Sequence, residues 1–129
     1  MDRIVLACDE RDFEASLGLA NEAGVGLEIQ TFGYPEALDA DLDSRVARYR
    51  ERLSDFAGDR TMHGAFMDMV SGSQDPKISE VTEFRYLQCL GIAEQLRARL
   101  IVFHLNYLTH IRHAEFRNAW MERQVTFWQ

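Results

Sequence analysis

The sequence predicts an α/β protein of four β-α units, a (β/α)4 half of a (β/α)8 barrel with parallel strands and outer helices. Three observations predict it. Short apolar runs of β type alternate with longer helical patterns in the order β-α-β-α-β-α-β-α. Alternation at that rhythm calls for parallel strands joined by right-handed crossovers. The 129 residues are about half of the roughly 250 that a full (β/α)8 barrel takes. Residues 1–129 are therefore read as one domain.

Ile4-Val5-Leu6-Ala7-Cys8 is the first strand. Asp12 is placed to cap a helix carrying Phe13, Leu17 and Ala20, and Gly24 is its stop. Val25 to Phe32 is the second strand. Val25, Leu27 and Ile29 share its apolar face, and Gly26, Glu28 and Gln30 share a polar one. That polar face is either solvated or lines a site. A loop through Pro35 follows, and Asp41 or Asp43 starts the next helix. Its stripe of Leu42, Val46, Tyr49, Leu53 and Phe56 steps by four and three, and Gly58 ends it. Arg45, Arg48, Arg50 and Arg52 interleave with Asp43, Glu51 and Asp55. That mixture reads as a solvated face of charge pairs, not as a phosphate site.

Arg60 to about Ala65 is the third strand and carries Met62-His63-Gly64. After a polar loop, Asp75 as cap and Pro76 as first helical residue make a strong start signal. Ile78, Val81, Phe84, Leu87, Leu90, Ile92 and Leu96 mark a helix of about five turns. Leu100 to Leu105 is the fourth strand, with Ile101-Val102-Phe103-His104 inside it. A last helical pattern runs from about Ala114, with Phe116, Trp120 and Phe127 as its apolar positions.

Fourteen Lys and Arg against twenty-one Asp and Glu leave a net charge of −7, with no run of five or six like charges. A nucleic-acid binder usually carries a basic face, so this balance counts against one. Cys8 and Cys89 form no C-x-x-C pair, which argues for buried reduced thiols and against a disulfide scaffold or zinc ribbon. The apolar run within Met1–Glu10 is too short for a signal peptide, and no segment approaches the roughly 20 apolar residues of a membrane helix. The expectation is a soluble cytoplasmic protein without a membrane partner. No phosphate loop, G-x-G-x-x-G, G-x-S-x-G or H-E-x-x-H is present.

His63 and His104 each fall near the C-terminal end of a predicted strand, and those strands are successive. In a barrel they are neighbours about 4.8 Å apart. Two imidazoles there are either ligands of one metal, at about 2.0–2.1 Å each, or histidines satisfied by hydrogen bonds in the core. Glu28 sits between apolar neighbours and needs a metal, an arginine or a substrate hydroxyl, and Gln30 shares its face. Asp68 either binds a loop backbone or supports His63 as a hydrogen-bond acceptor. His110 and His113 have an H-x-x-H spacing, but their segment reads as a solvated loop.

Thr61-Met-His63-Gly-Ala-Phe-Met-Asp68, Ser73-Gln-Asp-Pro76 and Val102-Phe-His104 together resemble a known family. The chain looks like the N-terminal half of the xylose isomerase-like barrels, the sugar phosphate isomerase/epimerase family that includes endonuclease IV. Gly26-Leu-Glu28-Ile-Gln30 resembles that family's second strand. The resemblance implies that His63 and His104 line an active site and hold a divalent metal (zinc, manganese or magnesium). It implies that Glu28, Gln30 and Asp68 face a sugar or sugar phosphate. It also implies metal-assisted proton transfer on a sugar or polyol carbonyl, by a chain inactive until a second half supplies strands five to eight. Two alternatives stand beside this. One is a non-catalytic half-barrel closing on a second copy or a complementary half-barrel chain. The other is a zinc-dependent abasic-site hydrolase of the endonuclease IV type.

Overall fold

Four strands, β1 (Val5–Cys8), β2 (Gly26–Ile29), β3 (Arg60–His63) and β4 (Leu100–Val102), pair side by side in chain order, and every pairing is parallel. The computed structural model describes residues 4–129, so the first three residues of the N-terminal run lie outside the described residues. Each strand is shorter than the apolar run that predicts it. The run expected to continue β2 to Phe32 turns instead into a 3-10 helix over Thr31–Gly33.

Five helices connect and follow the strands: α1 (Phe13–Ala23), α2 (Pro35–Asp39), α3 (Leu42–Arg52), α4 (Pro76–Gln95) and α5 (Ala114–Phe127). α2 falls where the sequence reading expects a loop, and Pro35 takes the first helical position there. Gly24 ends α1 in the left-handed conformation at φ 66°, as its position suggests. Asp12 precedes α1 without bonding the helix; its Oδ1 accepts the Asp9 amide at 2.8 Å. Gly58 does not end α3, which stops at Arg52. The Arg60 guanidinium donates to the carbonyls of Leu53 at 2.6 Å and Phe56 at 2.9 Å, tying the end of α3 to β3. Asp75 caps α4 as expected, its Oδ1 accepting the Lys77 amide at 2.9 Å.

Register sets which side chains share a face. Cys8, Ile29, Met62 and Ile101 align across the sheet, and so do Ala7, Glu28, Thr61 and Leu100. The first row packs into the core formed with the helices, where Leu27, Ile29 and Met62 are fully buried. Burying each such side chain contributes roughly 1.5–3 kcal/mol. No residue of the second row belongs to that core: Ala7 and Leu100 at its ends are exposed, Glu28 is half-buried, and Thr61 is buried with its Oγ1 donating to the Leu27 carbonyl at 3.2 Å. The helices thus cover one face of the sheet and leave the other open.

α4 departs most from its sequence reading. It buries Thr82, Tyr86, Cys89, Ile92 and Ala93, with Leu96 just beyond. Ile78, Val81, Phe84, Leu87 and Leu90 are exposed. A spacing of three drifts by about 60° per step around a helix of 3.6 residues per turn. Thr82, Tyr86, Cys89, Ala93 and Leu96 step by four and three, and therefore hold one face.

Candidate functional site

The C-terminal ends of the parallel strands gather the candidate residues at one rim, the edge where parallel α/β proteins place ligands. His63 is the last residue of β3, and His104 follows β4 by two. Both lie at the edge of the open face. Their Nε2 atoms are 3.1 Å apart, and their rings stand nearly perpendicular at a centroid distance of 4.7 Å.

Local chemistry fixes the tautomers of the neutral pair. His63 Nδ1 lies 2.9 Å from the Gly64 carbonyl, which only accepts, so Nδ1–H donates. His63 Nε2 is then the acceptor, and His104 Nε2–H donates to it. A backbone carbonyl behind Nδ1 is the usual partner of a histidine that offers Nε2 to a metal. Two nitrogens held at about 2.0–2.1 Å and a tetrahedral angle by one metal stand about 3.3–3.4 Å apart. The observed spacing is close to that bite. The set stops at two: among the described residues no group of three or more His, Cys, Asp or Glu is arranged to hold a metal.

The rim is braced by residues that sequence reasoning passed over. Tyr86 Oη donates to the His104 carbonyl at 2.9 Å. Phe66 sits edge-on to His63 at 4.9 Å and against His104 at 5.3 Å. Tyr34 meets the other edge of Phe66 at 5.3 Å, and Asn106 Nδ2 donates to the Met69 carbonyl. The only sequence signal for these is aromatic or amide character near a strand end, which many residues share.

The other candidates separate. Glu28 is half-buried on the open face, and its Oε1 accepts from Gln30 Nε2 at 3.2 Å. The structure thus joins Glu28 to Gln30, and among the described residues no arginine pairs with either. Asp68 is exposed at φ 59°, in a turn, and the Nδ1 partner of His63 is Gly64 instead. His110 is exposed, and His113 is the residue before α5.

A cleft of about 410 Å3 opens beside this rim, past the ends of β1 and β2. Asp9, Glu10, Arg11, Thr31, Tyr34 and Arg45 line it. Arg45 donates to both Glu10 oxygens at 2.7 Å and holds that carboxyl below the usual carboxylate range. Arg48 also reaches Glu10, and Arg52 pairs with Glu14. Three of the four arginines of α3, Arg45, Arg48 and Arg52, therefore do form charge pairs, but with the loop after β1 and with α1, not with the acids interleaved among them. Tyr34 links the cleft to Phe66 and so to the histidines.

No family model matches the chain, and no curated protein matches it. Among solved structures it is similar to the TTHB071 protein from Thermus thermophilus, a structure described as soaked with ZnCl2. Identity is 26%, the TM-score is 0.69, and the match covers 95% of this chain and 52% of that one. The chain spans about half the length of the structure it matches. The likeness agrees with the parallel α/β architecture.

The buried thiols are not part of this rim. Burial pushes Cys8 up to about 12 and Cys89 up to about 11, so both are protonated near neutral pH. Among the described residues no helix is long and apolar enough to cross a membrane.

Proposed function

We propose that this chain is one half of a (β/α)8 barrel of the sugar isomerase or epimerase type, inactive until a second half completes it. The observation that carries the proposal is the pair of Nε2 atoms 3.1 Å apart at the C-terminal rim of a parallel sheet. On this reading His63 and His104 are two ligands of a divalent metal, and a metal there would polarise a substrate carbonyl oxygen. Two nitrogens do not complete a catalytic site, which takes three protein ligands and an open position. No reaction step is therefore assigned to this chain by itself. Glu28 and Gln30, joined on the open face, would hydrogen-bond the hydroxyls of a sugar or sugar phosphate, and exposed Asp68 would approach it from its turn. The matched Thermus thermophilus structure was soaked with ZnCl2, so zinc is the first metal to test, with manganese and magnesium after it.

The open sheet face supports a second reading, a half-barrel that closes on a copy of itself. β1 and β4 are both edge strands, and Leu100 and Val102 on β4 are 52% and 40% exposed. Unpaired edges of this kind recruit further strands. An abasic-site hydrolase would use the same histidines, but a net charge of −7 opposes a DNA backbone.

The test is an isomerase assay on the purified chain with zinc, manganese or magnesium and a panel of aldose and ketose phosphates. No turnover is expected from the chain alone. Turnover is expected when a C-terminal half-barrel of the matched type is added, and it should disappear in His63→Ala. Robust turnover by the chain alone, or reconstituted turnover indifferent to His63, contradicts the reading.

A further inference from the structure

His63 and His104 reach the same rim but are held there in different ways. His63 ends β3, and its ring is fixed by its own neighbour, through Nδ1–H to the Gly64 carbonyl at 2.9 Å. The Gly64 amide in turn donates to the Val102 carbonyl at 2.8 Å. His104 lies two residues past Val102, the last paired residue of β4. Among the described residues its Nδ1 has no hydrogen-bond partner. Its tie to the fold is through the backbone: Tyr86 Oη donates to the His104 carbonyl at 2.9 Å.

Tyr86 is itself enclosed. It faces the core from the middle of α4 and is 3% exposed. Its ring packs on Phe103 at 4.2 Å, stacks on Trp128 at 5.4 Å and 23°, and meets Phe127 edge-on at 5.8 Å. Trp128 is anchored through Nε1 to Gln124 Oε1 at 2.9 Å, and the Ser71 hydroxyl donates to the same oxygen at 3.0 Å. Phe103 precedes His104 and lies so close over Gly64 that an added Cβ there would collide with its ring. A ring packed on so many sides keeps one rotamer, and its hydroxyl stays in one place.

We infer that Tyr86 is a positioning residue for the histidine pair. Its hydroxyl, through the His104 carbonyl, sets where the His104 imidazole stands, and so sets the 3.1 Å between the two Nε2 atoms. This deepens the reading of the pair as metal ligands, and its metal arm rests on that reading. Supports that orient a ligand before the metal arrives are worth roughly 10–100-fold in affinity. Freed from Tyr86, the chain turns at His104 and that ring leaves the bite, while His63 keeps its place. Tyr49 is the matched control. It is 4% exposed in the same core, and its Oη bonds the Thr31 hydroxyl at 2.5 Å, away from both histidines.

The experiment compares the purified wild-type chain with Tyr86→Phe and Tyr49→Phe. Each substitution removes one buried hydroxyl and keeps the ring, so both should lower the urea midpoint slightly. Nuclear Overhauser contacts among His63, His104 and Phe66 are then read in the metal-free protein at about pH 8, where an ordinary imidazole is neutral. Tyr86→Phe should lose the contacts of His104 with His63 and Phe66 and keep that of His63 with Phe66. Tyr49→Phe should keep all three. In calorimetry with zinc alone, Tyr86→Phe should bind about tenfold more weakly than the wild type, and Tyr49→Phe should match it. Should Tyr86→Phe fold poorly, Trp128→Ala reads the same tie by removing the stacked ring, and the His104 contacts should weaken there too. His104 contacts that survive in Tyr86→Phe overturn the inference. So does their loss in both tyrosine variants alike, which would mark a general loss of stability, or a zinc affinity that Tyr86→Phe leaves unchanged. The Overhauser contacts need no metal. A wild type that binds no zinc therefore counts against the metal reading, while those contacts still decide the role of Tyr86.

Discussion

On its covered face the sheet presents Leu27, Ile29 and Met62 to the helices, all fully buried. On its open face the same strands present Glu28, His63 and, at the β4 edge, Leu100 and Val102. The two sets alternate residue by residue along one backbone, so local propensity does not separate them. What separates them is what lies opposite. The covered face is finished: its apolar side chains meet helix side chains. The open face is unfinished: Gln30 and Phe66 meet its carboxylate and two imidazoles at one rim, but its edge residues Leu100 and Val102 stay exposed. Stability resides on the first face, and the chemistry proposed for the chain resides on the second.

Substitution should expose that division most clearly. Ile29→Ala empties a fully buried site and should cost about 2–5 kcal/mol, read from urea unfolding. Leu100→Thr, on the same sheet but the open face, should change stability by no more than about 0.5 kcal/mol. Equal costs at the two positions would mean that the open face is covered in solution. A middle-sized effect belongs to the helix start that follows β3. Asp75→Ala removes the cap of α4 and should cost about 1 kcal/mol, while leaving the rim histidines in place.

Alkaline pH should sharpen the contrast with a smaller effect. Cys8, on the covered face, is raised from 9.0 to about 12, and Tyr49 in the same core from 10.0 to about 12. Desolvation is the largest cause for both. The folded state therefore holds these protons after the unfolded chain has released them. Their contribution is complete below pH 9 and declines as pH rises toward 12. Unfolding midpoints should fall steadily across that window, and Cys8→Ala should flatten the decline. At about pH 8 neither thiol should react with a thiol reagent in the folded protein.

Much of this fold was legible in the sequence, because its signals are local. The four apolar runs, Gly24 as a left-handed stop and Asp75-Pro76 as a helix start all act within a few residues. The face of α4 was less legible. Ile78, Val81, Phe84, Leu87 and Leu90 read as a stripe, yet the helix turns Tyr86, Cys89 and Ala93 inward. A spacing of three and a spacing of three and four diverge only over several turns, and tertiary packing decides between them. Gly58 looked like a helix stop, whereas α3 had already ended at Arg52. The site divided in the same way. His63, His104 and Glu28 follow from strand position and period two. Phe66, Tyr34 and Tyr86 brace the rim from three different segments, and no spacing along the chain records that convergence. Gly64 as the partner of His63 Nδ1 is likewise a matter of backbone geometry.

The most direct test of the central claim is a calorimetric zinc titration of the purified chain, wild type beside His63→Ala with His104→Ala. The account predicts binding to the wild type with the weak affinity of a two-nitrogen site, and at least a tenfold loss in the double variant. An affinity unchanged by removal of both histidines would contradict it.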